Sequence, residues 1–200
     1  MDNAPFMRFL AEAVRTLGGS GMPEAIDIAE RLRRHAATAS YAAAAWDAHV
    51  RPPVLAYLDA ALALADRHPL VDLLAPVAHA LDWTEGDLPV PAAFRGRYAF
   101  VTLIGEGTPM PDDTCYFGLY LQAPDSHYPS HWHAAEEIYI VLSGTALWQQ
   151  GEAPFGARRP GSQILHRSYE PHAMDTRAEP LLAMWTWTGD LRSDTYAVQA

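Results

Sequence analysis

Cysteine is nearly absent from this chain of 200 residues, in which Cys115 stands alone. Without a second thiol there is no intrachain disulfide, and nothing in the composition calls for an oxidising compartment. Basic residues are scarce too: 14 Lys and Arg stand against 24 Asp and Glu, a net charge of −10. A polyanion would be repelled, which argues against nucleic acid or an anionic membrane surface as partner. A small cationic or zwitterionic substrate suits the balance better. No apolar run reaches the roughly eighteen residues of a membrane span. The opening M-D-N-A-P-F-M-R-F-L lacks a basic segment ahead of an apolar stretch and does not read as a secretory signal. Internal repeats and Gly/Ser-rich linkers are missing as well. With 50% hydrophobic residues the chain can bury a sizeable core. The expectation is one cytoplasmic structural domain, as a monomer or homodimer.

What is present divides near residue 90. Phe6, Phe9, Leu10, Ala13, Val14 and Leu17 recur at helical spacing, and Gly18-Gly19 stops the pattern. Pro23 opens a second helix, with Ile26, Ala29 and Leu32 as its apolar face. An alanine-rich piece, Ala36 to Ala48 with Tyr41 and Trp46, continues as helix. After Pro52-Pro53 comes the stripe Val54, Leu55, Leu58, Leu62 and Ala65, then Leu70 to Leu81 with Pro76 as a kink or break. His35, His49, His68 and His79 read as solvated or hydrogen-bonded helix residues rather than ligands. Residues 1–90 thus form a helical region packed on the remainder of the chain.

From Tyr98 the apolar period changes to two, as in strands. Strands are expected over Tyr98–Ile104, Cys115–Gln122, Tyr128–His133, Glu137–Leu142, Thr145–Gln150, Gln163–His166, Pro171–Met174 and Leu181–Thr188. The fourth and fifth read as a hairpin joined through Ser143-Gly144. Gly118 inside the second strand signals a close approach or a bulge. Many short strands with tight turns make a sandwich or barrel over residues 91–200.

The stretch Y-P-S-H-W-H-A-A-E-E-I-Y-I-V-L-S-G, from Tyr128 to Gly144, carries the chemistry. On an extended strand His131 and His133 point to one face, and Glu137 follows on the next apolar strand. Imidazole with carboxylate suits a first-row divalent metal, with a coordination position left open for substrate. His166 and His172, further along, are both available to complete the site. The competing reading is a set of surface or core histidines without a metal. Tyr139 leaves its strand on the face of Glu137. A nearby cation favours a phenolate, so this tyrosine is a candidate base or removable ligand, unless it merely packs with a hydrogen-bonded hydroxyl. Tyr128 is the alternative base or an orienting group.

H-W-H-A-A-E-E, followed by six residues and Gly144, is similar to the first cupin motif, HxHxxxE-x6-G. Asp125 stands where that family has a glycine six positions before its first histidine. Pro160-Gly161 and Glu170-Pro171-His172-Ala173 resemble the second motif. Among cupins, Y-P-x-H-x-H-x-A-E-E-x-Y-x-V-L-S-G most resembles the dimethylsulfoniopropionate (DMSP) lyases of the DddQ type. The resemblance implies a mainly β protein, a jelly-roll (double-stranded β-helix) barrel covered by N-terminal helices. It implies a ligand set of His133, Glu137 and His172, with His131 as a further member, around one Fe(II), Zn(II), Mn(II) or Ni(II) ion. The reaction implied is β-elimination of DMSP to dimethyl sulfide and acrylate, with Tyr139 as tyrosinate base and Tyr128 beside it. Tyr120, Trp148, Trp185 and Trp187 are candidates to hold the sulfonium by cation–π attraction.

Two other functions are open to such a chain: an Fe(II)-dependent cupin dioxygenase acting on a small carboxylate, and a non-catalytic cupin that binds a small ligand. No Arg/Lys-rich recognition element supports a DNA-bound regulator.

Overall fold

A computed structural model of the chain describes residues 4–38 and 51–199. The expected helix beyond residue 38, with Tyr41 and Trp46, lies outside the described residues, as does His49. Helix α1 (Ala4–Gly18) buries all six residues of its apolar stripe and ends where Gly19 N donates to Arg15 O at 2.9 Å. Helix α2 (Pro23–Thr38) begins at its proline, as the sequence indicates. Its buried face is Ala25, Ile28, Ala29 and Leu32, whereas Ile26 is 40% exposed. Ala29 and Leu32 are thus buried as expected, and only Ile26 gives way, its place in the stripe taken by Ala25 and Ile28.

The stripe after Pro52 is two pieces, a 3₁₀ turn over Pro53–Tyr57 and helix α3 (Leu58–Ala63). Helix α4 (Leu70–Leu74) stops short of Pro76, and a second 3₁₀ turn follows at Ala78–Ala80. A proline ring removes a backbone donor and collides with the preceding turn, so the break is the one expected. His35 and His79 lie 2.7 and 2.6 Å from Asp112 and Asp59, and the ring of His68 accepts from Leu70 N. All three are hydrogen-bonded within the helical region or to the loop beneath it. Among the described residues no helix is long and apolar enough to cross a membrane.

Ten strands follow: β1 (Tyr98–Ile104), β2 (Cys115–Gln122), β3 (His127–Trp132), β4 (Ala135–Ser143), β5 (Ala146–Gln150), β6 (Gly156–Arg158), β7 (Gln163–His166), β8 (His172–Thr176), β9 (Leu181–Gly189) and β10 (Ala197–Val198). They make two antiparallel five-stranded sheets, ordered β1-β2-β9-β4-β7 and β10-β3-β8-β5-β6. This is the cupin barrel with N-terminal helices that the sequence led us to expect. Both faces of the first sheet are buried. Val101, Leu119, Ile138, Ile140, Leu182 and Met184 join the helices in one apolar core, in which the rings of Phe9 and Phe117 stack at 6.3 Å. Tyr98, Tyr120, Tyr139, Val141, Ala183 and Trp185, alternating with them along the strands, join Tyr128, Trp148 and Met174 of the second sheet in the barrel interior. Each large apolar side chain buried in this way contributes about 1.5–3 kcal/mol before entropy is counted.

The hairpin expected at Ser143-Gly144 is not one. Strand β4 pairs with β7 and β9, and β5 pairs with β6 and β8, so the chain crosses from one sheet to the other at this turn. Gly144 has φ +79°, and a Cβ there would lie 2.0 Å from the carbonyl oxygen of Pro180. Only glycine fits that corner. Helical region and sheet are tied at the same place, where His68 N donates to Leu142 O and the Ser143 hydroxyl donates to Ala61 O. Gly118 does allow a close approach: a Cβ there would meet Val101 O at 2.1 Å and the indole nitrogen of Trp185 at 2.7 Å.

Candidate functional site

Strand pairing assembles the site from distant segments. His131 on β3 is opposite His172 on β8, which joins the two motif regions. On the other sheet Glu137 on β4 stands between His166 on β7 and Trp187 on β9. Asp125, at the turn into β3, has φ +48°, the left-handed conformation for which the related motif uses glycine. Aspartate is among the few side chains that tolerate it, so the departure keeps the turn.

His133, Glu137 and His172 are all buried, and one ligand atom from each lies within 4.8 Å of the others. The Nε2 atoms of His133 and His172 are 3.2 and 3.3 Å from the same Glu137 oxygen, Oε2. Each ring spends Nδ1 on a backbone carbonyl, His133 on Ala135 O at 3.0 Å and His172 on Glu170 O at 2.8 Å. A neutral imidazole has one N–H, so Nδ1 carries it and Nε2 is left as a lone pair aimed at a carboxylate. Positive charge must stand between them, as protons or as a metal ion. The Nε2 of His172 is buried with no hydrogen-bond partner, which fits a position reserved for a metal. The other Glu137 oxygen, Oε1, accepts from Trp187 Nε1 at 2.8 Å, and that indole also lies 4.4 Å from the His133 ring. Backbone carbonyls and one indole thus orient all three donors. Burial opposes the charge on Glu137, but the facing imidazoles hold its carboxyl well below the ordinary range.

His131 stands outside this trio. Its Nδ1 bonds Pro129 O at 2.9 Å and its ring stacks on Tyr128 at 4.0 Å. Burial, then the neighbouring His172, pushes it well below the usual histidine pKa, so it is neutral. His166 is not in the trio either. It lies flat against His172, with ring centroids 3.9 Å apart, and its Nε2 accepts from Trp148 Nε1 at 3.0 Å. Of the two imidazoles available from the second motif region, His172 therefore faces Glu137 and His166 backs it.

Beside the trio opens a cavity of about 170 Å³, lined by His131, His133, Glu137, Tyr128, Tyr139 and Tyr120 among others. Trp185 and Trp187 also line it. Trp148 does not: it is 1% exposed, packs on Tyr139 with centroids 5.2 Å apart and serves His166 instead. Burial, then the charge of Glu137, pushes the Tyr139 phenol well above its ordinary pKa. Tyr128 is raised as well, chiefly by burial, against the hydrogen bond it shares with Tyr196. Without a cation both phenols stay protonated.

Sequence reasoning missed Tyr98, Tyr196, Phe100 and Tyr116, all of which line the cavity. Period-two alternation with Tyr120 across the β1–β2 pair could have found Tyr98. Tyr196 comes after the last long strand in a polar segment and carried no signal.

Residues 27–183 match the family model described as dimethylsulfoniopropionate lyase. The chain belongs to that family. It is 37% identical over 102 residues to dimethylsulfoniopropionate lyase DddQ of Ruegeria pomeroyi, a match covering 51% of each chain. It is 36% identical over 142 residues to DddL of Cereibacter sphaeroides, covering 68% of this chain and 60% of that one. The matched stretches thus span only about half to three-fifths of these relatives. The crystal structure of DMSP lyase DddQ from Ruegeria pomeroyi DSS-3 superposes over 99% of this chain and 98% of its own, with a TM-score of 0.72 and 25% identity.

Proposed function

We propose that this protein is a carbon–sulfur lyase that cleaves DMSP by β-elimination to dimethyl sulfide and acrylate. In this reading His133, Glu137 and His172 hold one divalent transition-metal ion and Tyr139 is the base. The observation that carries the proposal is the placement of Tyr139, a phenol on the cavity wall two residues along β4 from Glu137, beside a donor trio oriented by its surroundings. Bound at the trio, a divalent cation supplies a Lewis acid for the substrate carboxylate and stabilises an ionised phenol nearby. The phenolate oxygen of Tyr139 takes the α-proton. The C–H electrons form the new double bond, the Cβ–S bond breaks, and its electron pair leaves with the neutral sulfide. Nothing is oxidised, so no dioxygen is consumed. Tyr128 and His131, stacked on one another, form the adjacent wall and orient the substrate. The faces of Tyr120, Trp185 and Trp187 suit a sulfonium through cation–π attraction.

The test is headspace dimethyl sulfide from purified protein of defined metal content supplied with DMSP. Release that continues without oxygen supports elimination. A metal-loaded protein that binds DMSP and releases nothing would contradict it and favour a non-catalytic cupin. Turnover that stops when oxygen is withdrawn would favour the dioxygenase.

A further inference from the structure

The segment after β9 returns across the barrel and brings Ser193 and Tyr196 to the cavity wall. Its anchors lie on either side of Tyr196. Thr195 Oγ1 accepts from Ala134 N at 3.1 Å, Ala197 and Val198 pair with Trp132 and His131 of β3, and Gln199 N donates to Ser130 O at 2.7 Å. So fixed, Tyr196 is 9% exposed, and its ring lies 5.4 Å from that of His131 and 5.9 Å from that of His133. Its hydroxyl is hydrogen-bonded to the hydroxyl of Tyr128.

A phenol has one proton. In a pair of phenols one hydroxyl donates, and the acceptor keeps its own proton for a third group. Among the described residues neither hydroxyl has another hydrogen-bond partner, and both tyrosines line the cavity. The spare O–H is directed to whatever occupies that space. A sulfonium offers it no acceptor, whereas a carboxylate does, and hydrogen bonds to an ionised acceptor are the strong ones.

We propose that Tyr196 is a positioning residue: through its hydroxyl pair with Tyr128 it aims one phenolic O–H at the carboxylate of a small acid in the cavity. The inference rests on the lyase reading for the identity of that acid, and it makes the segment after β9 part of the substrate site. Tyr196→Phe keeps the ring over the histidines and deletes only the partner hydroxyl.

The experiment is a double-mutant cycle read by binding rather than turnover. Acrylate, the product carboxylate, is titrated calorimetrically into zinc-loaded wild-type protein, Tyr128→Phe, Tyr196→Phe and the double variant, with melting temperature and zinc content checked for each. Tyr128→Phe should bind acrylate roughly tenfold to a hundredfold more weakly, the range for losing a hydrogen bond to a charged group, and Tyr196→Phe roughly threefold to tenfold more weakly, because Tyr128 keeps its O–H and loses only the neutral bond that aims it. The double variant should be no worse than Tyr128→Phe, because Tyr196 acts through Tyr128. Losses that multiply, unchanged affinity in folded Tyr196→Phe, or no acrylate binding by the wild type would each overturn the proposal. Wild-type dimethyl sulfide release is measured alongside. A coupled cycle in a protein that releases none supports the phenol pair and sinks the lyase reading. Release with an uncoupled cycle does the reverse.

Discussion

On β4 the side chains of Ile138, Ile140 and Leu142 lie in the core shared with the helices, while Tyr139 and Val141 lie in the barrel interior, where Glu137 lines the cavity. The same division runs through β9, where Leu182 and Met184 face one way and Ala183 and Trp185 the other. The helix-facing side is aliphatic and asks for nothing but volume. The cavity-facing side is aromatic and titratable, and most of its polar atoms have named partners. Helices covering the outer face let it stabilise the sheet, and the inner face can then hold buried imidazoles and a carboxylate that are costly on their own. Stability and chemistry are assigned to alternate residues of one strand.

Substitutions one residue apart should separate these roles. The largest effect is expected from Tyr139→Phe, which keeps the ring and deletes the one atom able to take the proton. DMSP turnover should fall by about 10²- to 10⁴-fold with metal content and melting temperature close to wild type. A rate near wild type would remove Tyr139 as base. Ile140→Ala, one residue further along the strand, should do the opposite. Ile140 is 1% exposed, so truncation should cost about 2–5 kcal/mol in denaturant unfolding while the folded fraction turns over normally. Equal loss of turnover per folded molecule would show the two faces to be coupled. The smallest effect is expected from Trp187→Phe, which leaves Oε1 of Glu137 without its indole donor. Metal affinity should drop roughly 10- to 100-fold in competition with a chelator. Unchanged affinity would mean that the indole serves only as cavity wall.

Much of this division was legible in the sequence, for a physical reason. Strands β1, β2 and β7 have the expected bounds because alternating burial on two apolar faces gives long runs cut by Gly, Pro and polar turns. The trio was legible through the motif resemblance, which implies His133, Glu137 and His172 together, whereas spacing alone left His166 and His172 both available. What failed was decided by packing. A Ser-Gly turn reads alike whether the chain doubles back or changes sheet, so the β4–β5 corner passed as a hairpin. Strands β6 and β10, three and two residues long, are too short to show a period. Trp148 and Trp187 looked equivalent as aromatics on barrel strands, yet one serves His166 and the other Glu137. His131 and His133 share a strand face by spacing, but the chain leaves β3 after Trp132, and only His133 turns toward Glu137.

The inner face is expected to hold a metal through His133, Glu137 and His172. Metal stoichiometry by plasma mass spectrometry, on wild type and on His133→Ala, Glu137→Ala and His172→Ala purified alike, tests it most directly. One divalent ion per wild-type chain is expected, with a clear loss in each variant and the helical circular dichroism retained. Undiminished stoichiometry in all three would contradict it.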